Sequence, residues 1–272
     1  MKRKLVSAAG MMLATVALAA PAEKKTEKLA PDWLEPITGM VFRAIPKGCF
    51  KMGAETPQVP QPEVFWERAG YTKSASEDEL PVHEACVDAF WMGKHEVRAG
   101  EWQRVMGGEA AKNENSPVSK VTWEQAQEFA RRLSESSSGK FRFRLPTEAE
   151  WEYACRAGAA TDIDPLGGDA STYAQRGISL TEPQRVGQLQ SNAFGLHDML
   201  GNVWEWVADT YAADAYARHV LFNPQLKAGA GQKVLRGGSF RTERVQVRCA
   251  MRGHQSPQAG TDAIGLRLVR EK

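Results

Sequence analysis

Residues 192–209 read NAFGLHDMLGNVWEWVAD, and the folding of this stretch decides how the rest of the chain is read. Trp204 and Trp206 stand two positions apart, so they share one side of a strand but diverge on a helix. Gly195 and Gly201 mark turns or close backbone approaches rather than a smooth amphipathic element. Asp198, Asn202, Glu205 and Asp209 are interleaved with these large apolar residues. The stretch therefore reads as an irregular core segment whose carboxylates must be satisfied, either by hydrogen bonds or by a cation.

Two helices are signposted upstream. Thr122 with Gln125 makes a capping box, and Trp123, Ala126, Phe129, Ala130 and Leu133 follow at helical spacing. Thr147 with Glu150 makes a second one, and Trp151, Ala154 and Cys155 form an i, i+3, i+4 stripe that places Cys155 in the core. A shorter helix is expected over residues 96–106. Strands are expected at residues 40–45, continuously over 82–92, at 233–240 up to a double glycine, over 245–252, and at the C-terminal end. The alternation of Val245, Val247 and Cys249 turns Cys249 inward. Arg236, Arg248, Arg252, Arg267 and Arg270 recur on these strands and read as salt-bridge or surface residues. Residues 54–80 and 156–190 show no period and read as loops.

The chain has 272 residues, enough for one large domain or two small ones, and is rich in Gly (24), Pro (14) and Trp (8). That mixture suits a loop-rich protein with aromatic anchors better than a helical bundle. The formal net charge is +2. Such a balance points away from nucleic acid and from an acidic membrane surface. Lys2, Arg3 and Lys4 followed by an apolar run and Ala17-Leu18-Ala19 have the form of a secretory signal, too short for an ordinary membrane span. Residues 1–19 are thus expected to be a cleaved signal peptide, 20–37 a flexible leader, and 38–272 the folded domain. Periplasmic or secreted localisation follows, without membrane insertion. In an oxidising compartment four cysteines, 49, 86, 155 and 249, read as two structural disulfides, with three pairings open.

The segments PVHEACVDAFWMGKHEV, VSKVTWEQAQEFARRL, RLPTEAEWEYACRAG, NAFGLHDMLGNVWEWVAD, VLRGGSF and GLRLVR, in that order, resemble the formylglycine-generating enzymes and their sulfatase-modifying-factor relatives, from about residue 38 to the C-terminus. The resemblance implies one α+β domain, irregular and loop-rich, on a C-type-lectin-like core. It implies the pairs Cys155–Cys249 and, by elimination, Cys49–Cys86. It also implies a structural calcium ion held by Asp198, Gly201, Val203 and Glu205, an all-oxygen set.

The family's best-known reaction oxidises a sulfatase cysteine with copper(I) on two thiols that follow the Gly-Gly-Ser turn. Here RGGSFRTERVQVRCAMR carries no cysteine between Ser239 and Cys249, so the soft ligands that select Cu(I) are missing and neither copper nor formylglycine generation is expected. The first functional expectation is an exported, non-catalytic binding or accessory protein. It would recognise a periplasmic or secreted protein or peptide through a groove bearing Arg241, Arg244, Arg252 and His254. The second is a periplasmic enzyme with thiol-independent chemistry, for example in siderophore maturation, as the resemblance allows. Histidines 83, 95, 197, 219 and 254 form no visible facial triad.

Overall fold

A computed structural model describes residues 30–54, 76–109, 111–159, 174–175, 181–227, 231–242 and 247–271. The expected signal peptide, most of the leader and Arg244 lie outside these residues. The strands are β1 (Trp33–Leu34), β2 (Val41–Ile45), β3 (Gly48–Met52), β4 (His83–Val87) and β5 (Phe90–Gly93), followed by helices α1 (Ala99–Met106) and α2 (Trp123–Ser136). Then come β6 (Phe143–Arg144), helix α3 (Glu148–Arg156), β7 (Ala174–Gln175), β8 (Leu200–Gly201) and β9 (Trp204–Thr210). The short helix α4 (Ala215–Arg218), β10 (Lys233–Arg236), β11 (Arg252–Gln255), β12 (Ile264–Leu266) and β13 (Val269–Arg270) complete the chain.

Two sheets carry the fold. One runs β1-β2-β5-β13-β6 with every pairing antiparallel. The other runs β11-β10-β9-β12, antiparallel except where β12 lies parallel to β9. A hairpin, β3–β4, and a short parallel pair, β7–β8, stand beside them. The architecture is the expected α+β, loop-rich single domain.

Strand β9 divides the core, and its period of two explains how. Trp204 and Trp206 point into a cluster with Phe129 and Leu133 of α2, Phe42, Leu235 and Ile264. Val207 points the other way, into a cluster with Trp151, Ala154 and Cys155 of α3. Both capping boxes form as written: the Thr122 hydroxyl accepts from Gln125 N, and the Thr147 hydroxyl from Glu150 N. The apolar stripe of each helix then fills its own cluster, α2 on the tryptophan side of β9 and α3 on the Val207 side.

Four expectations need correction. The continuous strand over 82–92 is two strands, broken at Asp88-Ala89, so β4 pairs with β3 while β5 enters the first sheet. Helix α1 begins at Ala99, not at 96. Cys249 lies in a turn rather than in a strand, since Met251 N donates to Arg248 O at 3.2 Å and pairing starts only at Arg252. Trp33 and Leu34 pair with Phe42 and Val41, so the fold begins inside the segment assigned to the leader.

Both disulfides implied by the resemblance are formed, Cys49–Cys86 and Cys155–Cys249, and no cysteine is free. They differ in setting. Cys155 and Cys249 are fully buried. Cys49 stands directly opposite Cys86 in the hairpin with its side exposed. Access governs thiol–disulfide exchange. Brief treatment of the folded protein with a mild reductant, followed by alkylation and mass spectrometry, should label Cys49 and Cys86 while Cys155 and Cys249 stay paired.

Candidate functional site

The stretch leading through β8 towards β9 is bent by three left-handed residues, Asp198 (φ 56°), Gly201 (φ 95°) and Asn202 (φ 58°). Asp and Asn tolerate that region because their short polar side chains bond locally. Asp198 Oδ2 accepts from Gly187 N at 2.6 Å, whereas its Oδ1 is buried with no hydrogen-bond partner. Asn202 donates to Glu96 Oε2 at 2.6 Å, and Val203 N donates to Glu96 Oε1 at 3.1 Å. Glu205 accepts Arg267 Nη2 at 2.8 Å and the Trp151 indole N–H at 2.7 Å. Arg267 also donates to the carbonyls of Gly93 and His197.

Three carboxylates, Glu96, Asp198 and Glu205, are thus buried together facing Arg267. Burial, then the charges of Asp198 and Glu205, pushes Glu96 well above the usual carboxyl range. Burial raises Asp198 as well. His95 and His197 lie beside the cluster with ring centroids 5.0 Å apart. Burial first, then the charge of Arg267, lowers His95 to about 3, so it is neutral at physiological pH.

The Gly237-Gly238-Ser239-Phe240 turn packs on this cluster. Gly201 N donates to Gly237 O at 2.8 Å, and Phe240 N to Asn202 O at 2.7 Å. Gly237 has φ 94°, and a Cβ there would meet the Trp151 ring at 3.1 Å and Met199 O at 3.2 Å, which only glycine avoids. Ser239 and Thr242 close the turn locally. Arg241 reaches out to Asp262 in a two-bond ion pair, both half-exposed.

The four expected groove residues do not share one surface. Arg252 is fully buried: it donates to Glu148 Oε1 at 2.7 Å and Oε2 at 3.1 Å, and to Asp78 O at 2.7 Å. His254 is buried with its ring stacked on Tyr211 at 3.7 Å. Neither faces a partner, because the Glu148 carboxylate draws the guanidinium inward. Arg241 alone among the described groove residues reaches the surface, and it is tied to Asp262.

Beneath the groove lies a network that sequence reading missed. Glu148 and Glu152, four apart on α3, meet Arg236, Arg252 and Arg156. Arg236 also donates to the carbonyls of Cys249 and Ala250, at 2.7 and 3.0 Å. Arg248 pairs with Glu79. The arginines read as salt-bridge residues do form ion pairs at 236, 248, 252 and 267, but inside the protein. Arg270 instead lies over the rings of Trp33 and Trp91. The available signal was Glu148 and Glu152 sharing a helix face with Trp151 and Cys155. An acid on an apolar stripe requires a buried cation.

The histidines pair rather than scatter. His83 Nε2 and His219 Nδ1 are 3.0 Å apart, with His83 Nδ1 on the Pro81 carbonyl at 3.0 Å. Among the described residues, no group of three or more His, Cys, Asp or Glu side chains is arranged to hold a metal ion, and no helix is long and apolar enough to cross a membrane.

Comparison with known proteins places this geometry. The sulfatase-modifying factor enzyme 1-like domain family matches residues 25–272. The chain is 26% identical to the formylglycine-generating enzyme of Mus musculus over 286 residues, covering 83% of this chain and 73% of that one. It is 30% identical to the formylglycine-generating enzyme of Streptomyces coelicolor over 238 residues, covering 79% and 72%. It is also 31% identical to the serine/threonine-protein kinase pkn1 of Chlamydia caviae over 248 residues, 78% of this chain but only 39% of the kinase. Among solved structures, PvdO from Pseudomonas aeruginosa superposes with TM-score 0.72 at 24% identity, covering 91% of this chain and 100% of that one. Treponema denticola variable protein 1 superposes with TM-score 0.72 at 22% identity, covering 89% and 99%. These structural likenesses establish the fold.

The buried network generates a test. Burial alone raises Glu148 and Glu152, but Arg252 and Arg236 outweigh it at Glu148, and Arg156 and Arg236 at Glu152, so both are held below their ordinary 4.5. A depressed carboxyl stabilises the fold above its unfolded value and loses that contribution as pH falls through the folded one. Stability should therefore fall below about pH 4.5. Arg236→Ala, which strips a cation from two buried carboxylates, should cost about 3–5 kcal/mol in urea unfolding at pH 7. It should also shift acid unfolding to higher pH.

Proposed function

The chain belongs to the sulfatase-modifying factor enzyme 1-like domain family, and on that premise we propose that it is an exported maturation enzyme whose chemistry does not run through a pair of thiols. One observation carries the reading. The Gly-Gly-Ser-Phe turn is retained and packed on Asn202, while every cysteine is consumed in a disulfide and none stands between Ser239 and Cys249. A soft cation such as Cu(I) needs thiolate or thioether ligands. The scaffold is kept and its usual ligands are not.

Two facts favour enzyme over binding module. The formylglycine-generating relatives carry the name of an enzyme. The cationic groove of the binding reading loses Arg252 and His254 to the interior. The reacting surface would then lie about the half-exposed Arg241–Asp262 pair, at the rim of a turn whose Ser239, Phe240 and Thr242 are buried. The signal-like N-terminus and the two disulfides support export.

Calcium belongs to the same reading, on Asp198, Gly201, Val203 and Glu205. The buried, unpartnered Asp198 Oδ1 supports it. Hard oxygen donors on a bent backbone suit Ca2+. Glu205 fits only by sharing oxygens already held by Arg267 and Trp151. Its supply is structural: a bound cation offsets buried negative charge beneath the turn.

Deletion of the gene, with mass spectrometry of exported peptides and small molecules, tests the enzymatic reading. A mass-shifted, unprocessed species that disappears on complementation is expected. A profile identical to wild type would leave only the binding role. Purified protein supplied with copper and a sulfatase-type cysteine peptide should form no aldehyde. Millimolar calcium should raise the melting temperature, and Asp198→Ala should abolish that rise; an equal rise in the variant would remove the calcium assignment.

A further inference from the structure

Beyond α4 the chain runs along the outer side of β4. Cys86 N donates to Leu221 O and Asn223 N to Cys86 O, both at 2.7 Å, which makes a one-residue parallel bridge between Cys86 and Phe222. The Asn223 side chain fixes the strap by accepting from Asp88 N and donating to Asp88 Oδ2, each at 2.9 Å. In a bridge of this form Phe222 turns its own N–H and C=O away from β4, and no described residue bonds either group. The side chains here are unusual for a water-facing segment. Val220, Leu221 and Phe222 are 65%, 43% and 67% exposed. Three consecutive exposed apolar residues beside an open backbone edge mark an interaction surface rather than ordinary surface composition.

Asn223 is also the rim of a cleft of about 890 Å³ lined by Lys47, Gln127, Arg142, Gln225 and Lys227. The carboxylates in it are engaged: Glu150 and Glu271 by Arg144, and Asp88 by Asn223. Lys47 and Lys227 are exposed, and neither has an ion-pair partner among the described residues. The uncommitted charge of the cleft is positive. Ala208, near the C-terminal end of β9, lines this cleft, whereas Asn202 and Glu205 mark the opposite end.

We propose that residues 220–223 are a docking edge for an extended segment of a partner protein in which apolar and acidic residues alternate. The segment adds as a strand to the free edge at Phe222, lays its apolar side chains on Val220 and Phe222, and sends its carboxylates to Lys47 and Lys227. Main-chain bonds supply affinity, and the alternating side chains supply choice of partner. This surface is independent of the reaction proposed above and stands whether or not that reading holds.

The probe is a fluorescent eight-residue peptide alternating glutamate with valine or phenylalanine, titrated against the whole protein by anisotropy and by hydrogen exchange. Binding that weakens with added salt and protects the Phe222 amide is expected. Phe222→Asp and the double variant Lys47→Glu/Lys227→Glu should each weaken it by about tenfold or more. All three positions are exposed, so unchanged melting curves should confirm that the variants fold. Absence of binding, equal binding by Phe222→Asp, or equal binding of a peptide with lysine in place of glutamate overturns the proposal. A concentration-dependent dimer in sedimentation that Phe222→Asp dissolves would overturn it too, by making a second copy the occupant.

Discussion

The fold depends on one face of one strand. Glu205, Val207 and Asp209 alternate on the side of β9 opposite the tryptophans, and two of the three are carboxylates with almost no contact with water. Such groups are tolerated only when fully bonded. Helix α3 meets that demand: Trp151 donates to Glu205, and Glu148 N to Asp209. The helix brings acids of its own, and Arg236, Arg252 and Arg156 answer them. Each buried charge requires the next. A hydrophobic core could slide by a fraction of a turn at small cost, whereas this chain of directional bonds fixes the helix, both strands of the β9–β10 pair and the Gly-Gly-Ser turn in one arrangement.

That logic also separates what was legible in the sequence from what was not. Local signals read well. The capping boxes at Thr122 and Thr147 and the inward Cys155 rest on neighbours within four residues, whereas the stretch read as irregular runs as a regular strand over Trp204–Thr210. The family resemblance supplied the disulfide pairing, which spacing alone left open among three possibilities. Long-range partners did not read. Nothing near Arg252 announces that Glu148, 104 positions away, will take its guanidinium inside, so it was placed in a surface groove. Arg267 and Glu96 were missed as members of the Asp198 cluster for the same reason. Alternation at residues 245–252 suggested a strand, but turn geometry at Arg248–Met251 overrode it.

The histidine pairs show the same limit. His83 and His219 are 136 positions apart yet meet at hydrogen-bond distance, and His95 meets His197 across the base of the Asp198 cluster. Burial keeps His95 and His219 neutral. Under the turn at residues 237–240 the protein therefore presents the neutral His95 imidazole, buried carboxylates and the Arg267–Glu205 ion pair, and no cysteine is free. The donors gathered under the turn are oxygens of Glu96, Asp198 and Glu205, facing one guanidinium.

Strand β13 occupies an interior position of the first sheet, between β5 and β6, and β12 lies against β9 in the second. Both come late in the order of the described elements. Cys249, which must find a partner 94 residues earlier, is late as well. A polypeptide emerging from a ribosome or a translocation channel would hold two incomplete sheets with open interior edges until these segments appear. The domain is therefore completed from its C-terminal end, and its earlier strands must be kept from pairing with other chains until then.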